Sequence, residues 1–189
     1  MDIAVIGSNM IDLVAYTDQV PQVGETLEAN DFAMACGGKG ANQAVAAARL
    51  GAQVGFLSKV GDDQFAQTQL ESLQGFGVDT RWVSAAQNMS SGVAQITVDG
   101  DGNNRILIIP GANKQLAPAD IDAIGSALKQ VKLIVLQLEV PLATVYHAIE
   151  FANAAHIPVI LNPAPATPKL NIDYACRCDY FIPNETELA

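Results

Sequence analysis

The sequence predicts an open, Rossmann-like α/β fold, a mostly parallel sheet flanked by helices. Three observations carry this. Short continuous apolar runs such as Ile3–Ile6, Leu133–Leu136 and Ile157–Leu161 read as strands buried on both faces. Segments with apolar residues at helical spacing separate them, and such alternation requires parallel pairing with right-handed crossovers. Half of the 189 residues are hydrophobic, enough for a substantial core.

Taken in order, Ile3–Ile6 is a strand that opens into a turn at Gly7-Ser8, with Asp12 just beyond it. An acid near the carboxyl end of a central strand can touch a ligand, or it can simply stabilise a turn. Leu13–Tyr16 reads as a second strand. The stretch from Cys36 to Ala44 then places Gly37, Gly38, Lys39, Gly40 and Asn42 before an Ala-rich helix, Ala44–Leu50, that stops at Gly51. Glycines let the backbone approach a ligand closely, a helix start presents free N–H groups, and Lys39 and Asn42 add a charge and an amide. Those parts suit a hydroxyl-rich or anionic small molecule; a glycine turn that packs a helix on a sheet would look the same. Neither a Walker A loop nor a GxGxxG pattern is present, since Ala33 and Gly40 stand where the former needs Gly and Ser or Thr.

Val54–Leu57 is the next strand, and Gly61-Asp62-Asp63 starts a core-packing helix carrying Ala66, Leu70 and Leu73. From Ser91 to Ile109 the period changes to two, with Ala94, Ile96 and Val98 alternating with Gln95 and Thr97 before the Asp99–Gly102 turn. This is a hairpin, either a lid or dimerisation ribbon or an ordinary edge. One helix is expected over Pro118–Gln130 and another after Pro141, with strands at Leu133–Leu136, Ile157–Leu161 and Tyr180–Ile182. Asp12, Glu139, Asn162 and Asn184 then fall just past strand ends, which share one rim in such a sheet.

The formal net charge of −10 argues against nucleic-acid or anionic-membrane partners. The spacing of Cys36, Cys176 and Cys178 matches no zinc or redox motif. Gln137, Glu139 and Pro141 interrupt the most apolar segment, and the start carries no leader pattern, so a reduced, cytoplasmic protein is expected.

Gly37-Gly38-Lys39-Gly40-Ala41-Asn42-Gln43-Ala44, with Gly7-Ser8 and Asp12 before it, resembles the ribokinase branch of the ribokinase/PfkB sugar-kinase family. So do Leu136–Glu139, Asn162–Ala166 and Asn184–Glu187, and the resemblance runs through all 189 residues. It implies a ribokinase-like α/β domain over residues 1–189, with a small β-sheet lid inserted at about 10–36 and 91–110. It also implies transfer of the ATP γ-phosphoryl to a hydroxyl of ribose or a related sugar, with Mg2+, and a homodimer formed through the lid strands. By the same resemblance Asp12 accepts hydrogen bonds from sugar hydroxyls, and Met10, Gly38, Lys39, Gly40, Asn42, Ala94, Ile96 and Glu139 line the sugar pocket. Asn184 and Glu187 serve the ATP phosphates, Glu187 holding the metal through water.

Two departures qualify it. Met10 stands where the family often has Asn, which puts the sugar in question. The family's Gly-Ala-Gly-Asp motif, with its catalytic base, is absent and is expected beyond Ala189, together with the adenine pocket and any K+ site. Another carbohydrate or a nucleoside as acceptor, or a catalytically inactive sugar-binding fragment, are the alternatives.

Overall fold

The computed structural model describes residues 1–188. Its main sheet has six parallel strands in the order β10-β9-β8-β1-β4-β5. These are β1 (Ile3–Ile6), β4 (Val54–Val60), β5 (Val83–Ala85), β8 (Leu133–Leu136), β9 (Val159–Leu161) and β10 (Tyr180–Phe181). β1 alternates its side chains between two cores. Ala4 and Ile6 join Leu136, Ile149 and Leu161 on one face, while Val5 joins Ala44, Phe56 and Leu73 on the other. Helices α1 (Lys39–Arg49) and α2 (Gln64–Gly75) cover the second face; α3 (Pro118–Ala123), α4 (Gly125–Leu128) and α5 (Leu142–Ala154) cover the first. Short α6 (Ile172–Ala175) and α7 (Glu185–Leu188) complete the described elements.

The chain winds from β1 toward β4 on one side and later to β8 on the other. β1 and β8 therefore flank the switch point, and their carboxyl ends open the crevice in which α/β sheets bind ligands.

A second sheet of four strands, in the order β3-β2-β6-β7, stands apart from the first. Its strands are β2 (Met10–Tyr16), β3 (Asp31–Gly37), β6 (Gly92–Val98) and β7 (Asn104–Ile109). β2 and β6 run parallel, and the two outer pairs are antiparallel. One face carries Met10, Asp12, Ala94, Ile96 and Ile108; the other carries Phe32, Met34, Leu107 and Ile109, all exposed.

Several expectations are corrected. The single helix over Pro118–Gln130 is two, because Ile124 leaves helical geometry (φ −106°, ψ 8°). Gly125 follows, and even a Cβ there would stand 3.3 Å from the Phe151 ring. α1 begins at Lys39 rather than Ala44, so Gly40, Ala41 and Asn42 form its first turn. Leu13–Tyr16 is the end of a longer strand from Met10, and Asp12 sits inside that strand instead of on the rim of the main sheet. The strand β3 falls in the segment that only the resemblance gave to the lid, and the short β5 and α6, with a 3-10 turn at Gly111–Gln115, had no periodic signal long enough to register.

Candidate functional site

Between β1 and β2 the chain makes a short connection, Gly7-Ser8-Asn9, whose backbone groups and Ser8 hydroxyl bond locally, while the buried Asn9 side-chain amide has no partner among the described residues. The Ser8 carbonyl accepts the Ala41 N–H (2.9 Å) and its hydroxyl accepts the Gly40 N–H (3.2 Å). α1 thus docks its first turn directly on the end of β1. Only glycine permits this at position 40, where a Cβ would lie 2.6 Å from the Ser8 nitrogen and 2.7 Å from the Gly7 carbonyl carbon. Gly38, just ahead of the helix, takes φ +92°, a conformation that side chains disfavour.

Glu139 arrives from the carboxyl end of β8. Its Oε2 accepts the Ser8 hydroxyl (2.6 Å) and the backbone N–H of Lys39 (2.9 Å). A carboxylate at the start of an 11-residue helix also interacts favourably with the helix dipole. Lys39 therefore contributes a backbone donor to this wall. One turn on, the Gln137 amide donates to Gln43 Oε1 (2.6 Å), a second tie between β8 and α1.

Asp12 projects from β2 toward the same region. Partial burial, and after it the negative charge of Glu139, push its carboxyl above the usual range. Two acids directed at one region form an acceptor-rich floor suited to hydroxyl donors. Gly37, diagonal to Asp12 across the β2–β3 pair, leaves the space that the carboxylate fills; a Cβ would stand 2.8 Å from its Cγ.

A cavity of about 310 Å3 opens here, lined by Met10, Ile108, Lys114, Leu138, Glu139 and Pro165, among others. Met10 is 3% exposed and supplies an apolar wall. Ala94 is the direct cross-strand neighbour of Asp12, and Ile96 follows two residues on along the same face. Asn42 is on the exposed side of α1 and lines a neighbouring groove with Asn9, Cys36 and Ser72 instead.

Further along the rim, Asn184 and Glu187 are reciprocally bonded. Asn184 donates from its backbone N–H (2.9 Å) and amide (3.0 Å) to the Glu187 carboxylate, and the Glu187 N–H donates back to Asn184 Oδ1 (2.8 Å). The Asn162 amide donates to the Ile182 carbonyl (2.9 Å), which makes it a brace for the chain leaving β10.

Three contributors escaped sequence reading. Ser8 was visible only as half of a turn. Lys114 places a cation at the cavity edge from within a short turn. Asn113, fully buried, accepts the Asn9 N–H (2.9 Å) and donates to the Asn9 and Pro110 carbonyls (2.8 and 3.0 Å), acting as a strand partner at the β1–β2 junction. A Pro-Gly-Ala-Asn turn after a strand was the available signal.

The comparisons with known proteins agree with this geometry. The chain is 59% identical over 188 residues to a deoxyribokinase of Salmonella typhi, covering all of this chain and 61% of that protein. It is 42% identical to a ribokinase of Bacillus subtilis, covering 98% of this chain and 63% of the relative. The solved structure of an Arabidopsis thaliana ribokinase complexed with ribose and ATP superimposes with a TM-score of 0.92 at 30% identity, covering 99% of this chain and 61% of that one. The chain thus spans about three fifths of the length of the relatives it matches. Residues 1–189 match the pfkB family carbohydrate kinase profile throughout, and the chain belongs to that family.

Proposed function

We propose that this chain forms the acceptor-binding part of an ATP-dependent pentose kinase, with 2-deoxyribose the preferred sugar and ribose the weaker one. The observation that carries the reading is the closeness of Asp12 to Glu139 near the switch point, with Glu139 and a buried, apolar Met10 lining one cavity. Two carboxyl groups can accept several sugar hydroxyls, and hydrogen bonds to such acids fix orientation as well as affinity. Met10 offers neither donor nor acceptor where the family often has Asn, so a hydroxyl directed at it loses a partner. A sugar lacking one hydroxyl does not meet that loss. The 59% identity to a deoxyribokinase, against 42% to a ribokinase, points the same way.

In this mechanism Asp12 and Glu139 hold the acceptor, with Gly38 and Lys39 beside it and Ala94 and Ile96 over it as part of a lid, while Asn42 faces the neighbouring groove. Positioning and the exclusion of water are the main contributions a protein makes to phosphoryl transfer. The base that takes the acceptor proton lies, by family resemblance, in the portion of the relatives' length outside this chain.

Asn184 and Glu187 would face the nucleotide phosphates. No cluster of three or more metal-ligating side chains occurs among the described residues. A single carboxylate whose oxygens already accept Asn184 donors suits Mg2+ held through water and substrate phosphates, the usual mode for this ion. When bound, the metal supplies charge neutralisation at the transferring phosphoryl group.

The second sheet's outer face, with Phe32 and Leu107 more than 60% exposed, suits a second copy of the chain. No helix among the described residues is long and apolar enough to cross a membrane, and a cytoplasmic location fits an ATP-dependent reaction.

The test is phosphorylation of a panel of 2-deoxyribose, ribose, hexoses and nucleosides by the full-length gene product with ATP and Mg2+. Preferential turnover of 2-deoxyribose is expected. No product from any of them overturns the proposal, and preference for a nucleoside overturns its substrate class.

A further inference from the structure

We infer that Ser8 is a positioning residue for the acceptor sugar, acting through Glu139; this rests on the pentose-kinase reading above. Ser8 is fully buried and its hydroxyl is used in both directions. It donates to Glu139 Oε2 at 2.6 Å and accepts from the Gly40 N–H at 3.2 Å. Its carbonyl accepts the Ala41 N–H at 2.9 Å, so the residue itself cannot turn away. The Lys39 N–H reaches the same Glu139 oxygen at 2.9 Å.

Two donors from two chain segments thus immobilise Oε2 and fix the orientation of the Glu139 carboxylate, whose charge is felt at Asp12. A hydroxyl that donates to an ionised acceptor is the stronger kind of hydrogen bond, and a pre-oriented carboxylate binds its ligand without first losing rotamer freedom. Gly40 completes the device. Its missing Cβ lets α1 come close enough for its N–H groups to reach Ser8, and a side chain there would meet the Ser8 backbone. The serine links the switch-point strand, the helix start and the acid that would grip the sugar.

The experiment measures KM for the sugar, kcat and thermal stability of the full-length protein for Ser8→Ala, Glu139→Gln and the double variant. Loss of a hydrogen bond to a charged group predicts a KM about tenfold higher for Ser8→Ala. Because Ser8 is fully buried and would act on the sugar only through Glu139, kcat stays within about threefold. In the Glu139→Gln background Ser8→Ala adds little further, since a residue that acts through another shows strong coupling. An unchanged KM for Ser8→Ala, or its full factor reappearing on top of Glu139→Gln, overturns the inference. Should Ser8→Ala fold poorly, Ser8→Cys keeps the volume with a weak donor, and calorimetric sugar binding below its melting temperature gives the same two outcomes. If the wild type turns over no sugar at all, the kinase reading fails first; an active wild type with an indifferent Ser8 refutes this inference alone.

Discussion

Gly37→Ala is a selective perturbation of the site, because the added methyl meets one functional group. Gly37 and Asp12 are diagonal neighbours on the same face of the β2–β3 ladder. An ideal Cβ at position 37 would stand 2.8 Å from Asp12 Cγ and 2.9 Å from Oδ1, both well inside van der Waals contact. One of the two must move. The Asp12 carboxylate is the freer partner, since the Gly37 backbone is held in the ladder opposite Met10. The carboxylate should therefore rotate away and lose the bond to the sugar proposed for it. A hydrogen bond to a charged group contributes about 1.5–3 kcal/mol, so KM for the sugar should rise roughly 10- to 150-fold. Overpacking ordinarily costs about 1–3 kcal/mol, and relief by a movable side chain puts this case at the low end. Replacing glycine by alanine also recovers roughly 0.4–1 kcal/mol by restricting the unfolded chain. The melting temperature should thus shift little while sugar affinity collapses. A coupled ATP-turnover assay across sugar concentrations, with a parallel thermal melt, reads both. An intact fold with unchanged KM would refute the placement of Asp12 in the sugar site.

Asp12→Asn should lower sugar affinity while raising stability at neutral pH. The folded-state pKa of Asp12 is raised, so its ionised form opposes folding, and wild-type stability gains as pH falls through that value. Melting curves should show the variant ahead near pH 7, with the gap shrinking on acidification above 3.8; an Asn variant that is less stable at pH 7 contradicts the burial argument. Phe32→Asp, on the exposed outer face of the second sheet, should shift sedimentation of the full-length protein from dimer to monomer without changing the fold; a monomeric wild type refutes the interface. Among the cysteines, burial pushes the Cys178 thiol up to about 11, whereas Cys176 is exposed. Iodoacetamide at pH 8 should label Cys176 well before Cys178, and equal rates by mass spectrometry would contradict that placement.

What the sequence conveyed was the part written in unbroken apolar runs and in helical spacing. Ile3–Ile6, Leu133–Leu136 and the Val145–Ala152 helix face are strongly patterned, and they appear in the structure where their patterns lie. Cys36–Ala44 was legible as a helix start, but its boundary was not: Gly40 and Asn42 look like loop residues, and only the Ser8 contacts explain why the helix begins at Lys39. Pro118–Gln130 was read as continuous because Ile121, Ile124 and Leu128 keep helical spacing through the break at Ile124. Asp12 and Glu139 were legible as acids after strand ends, though β2 carries Asp12 into a different sheet from the one that ends at Glu139. Their approach, and the bonds of Ser8 and Asn113 that support it, join residues more than a hundred positions apart. No local pattern encodes such contacts.

The most direct test of the account is a crystal structure of the full-length protein with 2-deoxyribose bound. The account predicts sugar hydroxyls within hydrogen-bond distance of the Asp12 and Glu139 carboxylates, with Met10 against a face of the ring that bears no hydroxyl. Sugar density elsewhere, for instance in the groove between α1 and α2, with Asp12 and Glu139 touching only water, would contradict it.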